Sequence, residues 1–435
     1  MTLRPRLHWV SPLPPAATDI AHYTGRILPA LARVADVVLW TEAEDWAPWL
    51  EEHATVRRYD AGDPSLDLTG LPGTAGPEIA VFQIGNSRVF HTGPVALARR
   101  VPGVVVLHDT GLQDLLLGLV DTGGLAEGEY RAGMARWYGP RGARMAGSVL
   151  SRQTTPAQAV AAGCPGFELV AERATAALVH ARGAFDELRR RRMLPAYLLD
   201  LPYAPGPAPE TARAAQGPLR LVQFGYIAPN RRLDQVLEAL SDLRREMDFT
   251  LEVFGTVWDP AHLRGKIAEL GLSDRVALRG FVGEAELDAA LARAHLAFNL
   301  RHPTMGEASG SQLRLWNAGA AAVVSDAGWY RDLPEETVLR VPAGEERAAL
   351  GPLLRRIDAD RGLCARIGAA GRARLESRHA PERYAEGLTA LAAEAGRDAR
   401  EALLAEAGRG VLAQLRRPGL PAARLAGLID GAPRG

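Results

Sequence analysis

The stretch Asn299-Leu-Arg-His-Pro-Thr-Met-Gly-Glu-Ala-Ser-Gly-Ser-Gln-Leu-Arg-Leu-Trp-Asn-Ala-Gly-Ala-Ala-Ala-Val-Val-Ser-Asp326 reads as one repeat of an α/β domain. Its pattern predicts a strand end, a loop with one carboxylate and two glycines, a helix from about Ser309 to Ala318 stopped by Gly319, and an apolar strand from Ala320 to Ser325. Backbone N–H groups at such a helix start favour an anion, and Glu307 can accept hydrogen bonds from hydroxyls of the same ligand. An ordinary strand–loop–helix connection has the same pattern, so the neighbouring segments must decide.

Upstream, the same unit recurs. Strands are expected at Leu219–Phe224, Thr250–Phe254, Val276–Leu278 and Leu296–Leu300. Helices are expected at about Leu233–Met247, Ala261–Leu270 and Ala285–Ala294. Four successive βα steps predict a doubly wound parallel sheet. The first half alternates in the same way, with strands at Leu7–Ser11, Val37–Trp40, Ile79–Ile84 and Val104–His108 and helices at Ile20–Val34, Val95–Arg100 and Gly111–Val120. From about 129 to 200 the pattern is mostly helical and ends in a strand candidate at Ala196–Leu201. The proline-rich run Pro202–Glu210 reads as the domain boundary. The expected organisation is an N-terminal Rossmann-like domain over 1–204, a C-terminal one over 205–380, a helix over 381–395 and a helical tail over 396–435.

Length agrees with this division: 435 residues suit two domains of roughly 200 residues and a cleft between them. Lys plus Arg and Asp plus Glu are 51 each, so bulk charge gives no sign of a nucleic-acid partner. Two distant cysteines, Cys164 and Cys364, fit a reducing compartment and argue against a structural zinc site. The N-terminus lacks a signal-peptide core and there is no apolar run of membrane-spanning length, which leads us to expect a cytoplasmic protein. Arg416, Arg417 and Arg424 in the tail allow a peripheral contact with a membrane or a partner, though a solvated terminal helix has the same composition.

In open parallel sheets ligands bind beyond the carboxyl ends of the strands. In the second half those positions are Gly225–Arg232, Gly255–Trp258, Gly280–Gly283 and 301–311. Gly225 permits close backbone approach, and Arg231 and Arg232 at a helix start, where cations oppose the helix dipole, suggest a bound diphosphate. In the first half the rim is Ser11–Tyr23, Gln83–Ser87 with His91, and His108-Asp109. A histidine at a strand tip, such as His108, serves either structure or chemistry. No Ser/His/Asp order, P-loop, metal-ligand cluster or Gly-x-Gly-x-x-Gly fingerprint is present.

Taken in order, Ser11-Pro-Leu-Pro-Pro…Ile-Ala-His-Tyr23, Gln83-Ile-Gly-Asn86, Val106-Leu-His-Asp109, Tyr130–Tyr138, Gly225…Pro229-Asn-Arg-Arg-Leu-Asp234, Gly280-Phe-Val282 and Pro303–Ser311 resemble the retaining glycosyltransferases of family 4 over roughly residues 7–395. The resemblance implies the GT-B fold: two Rossmann-like domains, a nucleotide-diphosphate sugar (of UDP or GDP type) on the C-terminal one, and a glycan, lipid-linked or small-molecule acceptor on the N-terminal one. It implies no metal and no cofactor, a helix near 381–394 crossing back to the first domain, and a setting such as polysaccharide biosynthesis.

By the same resemblance Arg231 binds the donor diphosphate, Glu307 the sugar hydroxyls, and His108 the transferred sugar near its reacting carbon. Gly225, Tyr226, Arg232, Val282, Gly310, Ser311 and Arg314 fall on the donor side. Thr18, Asp19, His22, Tyr23, Asn86 and Asp109 fall on the acceptor side or the inter-domain loop. The family's second glutamate, which holds the ribose, has no counterpart: anchoring on Gly319 gives Arg314, counting from Glu307 gives Leu315. A member that binds a nucleotide sugar without transferring it shares most of these residues, and Tyr226, Asp19 and the absent glutamate fit that alternative.

Overall fold

The computed structural model describes residues 4–63, 66, 68, 78–207 and 213–395. The tail 396–435, with Arg416, Arg417 and Arg424, lies outside the described residues.

Two all-parallel sheets form. The first contains β1 (Arg6–Val10), β2 (Asp36–Thr41), β3 (Thr55–Arg58), β4 (Glu78–Ile84), β5 (Gly103–Leu107), β6 (Ala176–Val179) and β7 (Ala196–Leu198), in the order β3-β2-β1-β4-β5-β6-β7. The second contains β8 (Leu219–Phe224), β9 (Phe249–Phe254), β10 (Val276–Gly280), β11 (Leu296–Phe298), β12 (Ala321–Ser325) and β13 (Leu339–Val341), in the order β10-β9-β8-β11-β12-β13. In each, the strand order reverses beside the first strand, at β1/β4 and β8/β11. That switch opens a crevice at the carboxyl ends, the place where such sheets take ligands.

The central strands are buried on both faces, which is why they read as continuous apolar runs; every residue of β5 and β12 is buried. Three strands escaped the sequence pattern. β3 carries Arg57 and Arg58 at the sheet edge, while β6 and β13 are only four and three residues long. The mostly helical reading of 129–200 therefore hid a strand at Ala176–Val179. The helix expected at Val95–Arg100 begins earlier, at Arg88, because Pro94 is tolerated inside Arg88–Ala98.

The two large apolar clusters are not divided at the domain boundary. One is confined to the second sheet and its helices. The other runs from the first sheet through Leu313, Leu315 and Trp316 to Tyr384, Leu388 and Leu391. Helix 381–395 returns to the first domain: the Tyr23 and Tyr384 hydroxyls are hydrogen-bonded, Arg33 pairs with Glu382, and Gly387 packs on Leu199. Among the described residues no helix is long and apolar enough to cross a membrane.

Candidate functional site

The quoted stretch folds much as its pattern predicts. Ser309 caps the helix Gly310–Asn317, its Oγ accepting the Gln312 N–H at 3.1 Å, and Gly319 ends it at φ +58°. The helix N-terminus opens into a cavity of about 300 Å³ between the two sheets. Thr18, Asp19, Tyr23, Asn86, His108 and Asp109 line it from the first domain; Glu307, Gly310, Ser311 and Arg314 line it from the second.

The two walls are joined by main chain. The Thr110 and Gly111 N–H groups both donate to Met305 O, at 3.0 and 2.9 Å, so the loop carrying Glu307 docks onto the loop that follows His108 and Asp109. Gly306 is required there. At φ +86° it comes so close to Thr110 that a Cβ would lie 2.1 Å from Oγ1.

Glu307 is largely buried and both of its carboxylate oxygens are engaged. One carboxylate oxygen pairs with Arg301; the other accepts from Thr304 Oγ1 at 2.8 Å and the Met305 N–H at 2.6 Å. Burial disfavours its charge most strongly, but Arg301 together with the hydrogen bonds from the main chain and Thr304 outweighs it and holds the pKa below the ordinary carboxylate value. Arg301 is held in turn above the ordinary arginine range, burial being outweighed by Glu307 with Tyr330 and Asp109. Asp109 has no such partner. Burial, then the charge of Glu307, pushes its pKa up to about 7, against the Asn86 N–H it accepts at 2.9 Å and the pull of Arg301.

His108 sits at the tip of β5, its Nε2 2.9 Å from Gln83 Oε1 and its ring edge-on to Tyr23 with centroids 4.7 Å apart. Burial, with His180 and His91 adding to it, lowers its pKa well below 6.5, so the ring is neutral. With Nε2 donating to Gln83, Nδ1 is an acceptor. Arg231 is 4% exposed. Its Nη2 donates to Phe224 O at 2.9 Å, while Nε and Nη1 find no partner among the described residues. Burial and Arg301 bring its pKa down to about 10, leaving it charged at neutral pH.

Six expected positions lie off the cavity wall, Arg231 and Gly225 among them. Arg232, in the left-handed conformation at φ +58° before helix Leu233–Leu243, turns to the buried Glu346, its Nη2 2.9 Å from the carboxylate. The structure thus corrects the joint reading of Arg231 and Arg232: the dipole is answered by Glu346 for one and by no carboxylate for the other. Tyr226 is 55% exposed and faces solvent, Val282 packs against the apolar cluster, and His22 is exposed, about 100° round the helix from Tyr23. Gly225 stands behind the wall against Arg231.

The cavity also holds residues the sequence reading passed over. Arg301 begins the loop 301–311, expected on the rim, but the pattern gives it no role of its own. Arg26 recurs at helical spacing after Asp19 and Tyr23. Leu201 ends the expected strand Ala196–Leu201, Pro202 and Tyr203 fall in the run read as a boundary, and His180 follows the unrecognised β6. Among the described residues no group of three or more His, Cys, Asp or Glu is placed to hold a metal ion.

Residues 231–390 match the glycosyl transferase-like family. No curated protein matches the chain. Among solved structures, sucrose-phosphate synthase from Thermosynechococcus elongatus superposes with a TM-score of 0.57 at 15% identity, covering 89% of this chain and 98% of that one. Anabaena HepE in complex with UDP gives 0.56 at 14% identity, over 90% and 100%. A glycosyltransferase from Rickettsia africae gives 0.55 at 9%, over 91% and 99%. The fold is GT-B. At these identities the likeness extends to the architecture, and the GT-B cleft is where the cavity lies.

Proposed function

We propose that the chain is a glycosyltransferase of the family 4 type, moving a sugar from a nucleotide-diphosphate donor to a hydroxyl of a glycan, lipid-linked or small-molecule acceptor with retention at the anomeric carbon. The observation that carries this reading is the open helix N-terminus at Gly310-Ser311 on the wall of the inter-domain cavity together with Arg231, which lies off that wall within electrostatic reach of Arg301, Glu307 and Asp19 and is a buried cation lacking a carboxylate partner. An incoming diphosphate supplies the acceptors that Arg231 Nε and Nη1 lack. The glycosyl transferase-like match begins at that arginine.

In the reaction the acceptor oxygen bonds to the anomeric carbon while the bond from that carbon to the diphosphate oxygen breaks. The acceptor proton passes to a phosphate oxygen on the same face. Arg231 and the helix N-terminus stabilise the charge developing on the leaving diphosphate. Neutral His108 offers Nδ1 to a sugar hydroxyl. Glu307, with both oxygens held by protein, positions Arg301 and the loop beside the sugar. The nucleotide sugar is substrate, and neither a metal nor another cofactor enters the scheme.

UDP-glucose and GDP-mannose, incubated with the full chain and acceptor mixtures, test the reading. Nucleotide diphosphate release together with a glycosylated product of unchanged anomeric configuration by NMR is the expected result. An inverted product overturns retention. A rise in melting temperature with nucleotide but no turnover under any condition favours a binding-only protein, the reading to which the fully engaged Glu307 also lends itself.

A further inference from the structure

Asp19, Tyr23 and Arg26 recur at helical spacing on Asp19–Val34, and all three line the cavity. Seven residues at 1.5 Å each set Arg26 about 10 Å along the helix from Asp19. The cavity therefore has two ends. Asp109, Glu307, Arg301 and neighbouring Arg231 surround the Asp19 end, as their mutual influence on one another's ionisation shows. Tyr203 and Arg314 stand at the other, where Arg26 and Arg314 both act on the Tyr203 hydroxyl.

The cations at this second end differ in what they already hold. Arg314 is engaged: Nε donates to Asp288 Oδ1 at 2.8 Å and Nη2 to Glu284 O at 3.2 Å. Arg26 is not. Its guanidinium lies over the Tyr203 ring, 4.7 Å from the centroid, and makes no hydrogen bond or ion pair to a described residue. Stacking uses the face of the guanidinium and leaves its in-plane N–H groups for a ligand. The Tyr203 hydroxyl likewise has no partner among the described residues, although the residue is only 7% exposed. The carboxylates at this end, Asp288 and Glu284, are taken up by Arg314, which leaves Arg26 and the Tyr203 hydroxyl with donors that an anion satisfies. The donor diphosphate is already provided for at the other end, by Arg231 and the helix start.

Resting on the function proposed above, we propose that Arg26 and Tyr203, flanked by Arg314, form an anion subsite for the acceptor, so that the acceptor is a sugar bearing a phosphate or a carboxylate. Arg26 belongs to the first domain and closes the cavity opposite the domain assigned to the donor. The bound group sits about two helical turns from the carboxylate end, leaving the reacting hydroxyl of the same molecule beside Asp19 and Asp109.

Calorimetry on the full chain tests this. Wild type and Arg26→Gln are titrated first with UDP and then, saturated with UDP, with inorganic phosphate, glucose 6-phosphate, glucuronate and glucose. We expect the UDP-saturated wild type to bind phosphate and at least one of the two acidic sugars, at least tenfold tighter than glucose. The preference of glucose 6-phosphate over glucuronate, or the reverse, identifies the anionic group. Arg26→Gln should weaken acidic-sugar binding about tenfold and change UDP affinity less than twofold, with Arg26→Lys intermediate. Absence of anion binding to the UDP-saturated wild type overturns the subsite. So does an equal loss of UDP affinity in Arg26→Gln, which assigns the arginine to the donor. Failure of UDP, and of GDP in a parallel titration, to bind the wild type defeats the glycosyltransferase reading instead. Arg26 is half-buried and carries no protein hydrogen bond from its guanidinium, so melting curves of the variants should match wild type.

Discussion

Asp109 and Glu307 are two largely buried carboxylates on loops that touch, one following β5 of the first sheet and one in the loop after β11 of the second, yet their ionisation is driven in opposite directions. Glu307 has Arg301 and stays charged; Asp109 has a backbone N–H and faces Glu307, so it holds its proton toward neutrality. Burial alone raises both. The difference teaches that one guanidinium, contributed by the same loop six residues earlier, decides which wall of the cavity carries fixed charge.

The largest way to break this contrast is Arg301→Met. Glu307 is then buried without its counter-ion, and stability should fall by about 3–5 kcal/mol, read from the urea midpoint. Adding Glu307→Leu should recover most of the loss; a single-mutant cost below about 1 kcal/mol would show that water reaches the carboxylate. Arg231→Ala leaves the Asp109/Glu307 contrast in place and removes the cation reserved for ligand. Transfer should drop about 10²–10³-fold in kcat/KM with the fold retained by circular dichroism. Near-normal turnover would sink the donor assignment.

Asp109→Asn isolates the other wall. Because the folded pKa of Asp109 lies above the unfolded value of about 3.9, the stability gained from its protonated form is complete below that value and is lost as pH rises through about 7. Wild type and variant should match near pH 4, and wild type should become less stable by something on the order of 2 kcal/mol by pH 8, part of the titration being shared with Glu307. A difference independent of pH would mean that Asp109 is ionised throughout. Smallest of all, Ser309→Ala removes the helix cap beside Glu307 and should cost about 1 kcal/mol in thermal or urea unfolding.

The repeated βα pattern exposed both sheets because parallel strands buried on two faces must be apolar throughout, as Val104–Leu107 and Ala321–Val324 are. β6 was hidden for lack of length: four residues among helices give no period. Within the site, Glu307 and Gly310 stood out as a carboxylate and a glycine before a helix. Arg301 did not, since its role depends on a loop turning back on itself through Thr304 and Met305. Tyr203 was concealed by its prolines, which signal a linker by composition while the chain there is pinned by the Tyr203 N–H to His379 O bond at 2.8 Å. Arg26 was legible as the third residue of a helical stripe after Asp19 and Tyr23, but a cation in a stripe acquires meaning only when its neighbours leave it unpaired. Arg232 shows the converse, its partner Glu346 lying 114 residues away in sequence.

The two amide bonds to Met305 make the cleft its own reporter. If the walls separate, the Thr110 and Gly111 N–H groups lose their acceptor and become free to trade hydrogen for deuterium, while the amides of β5 beside them stay protected. Their exchange rate is then a clock for parting of the domains, read from two adjacent backbone positions without a label and without touching a side chain of the cavity.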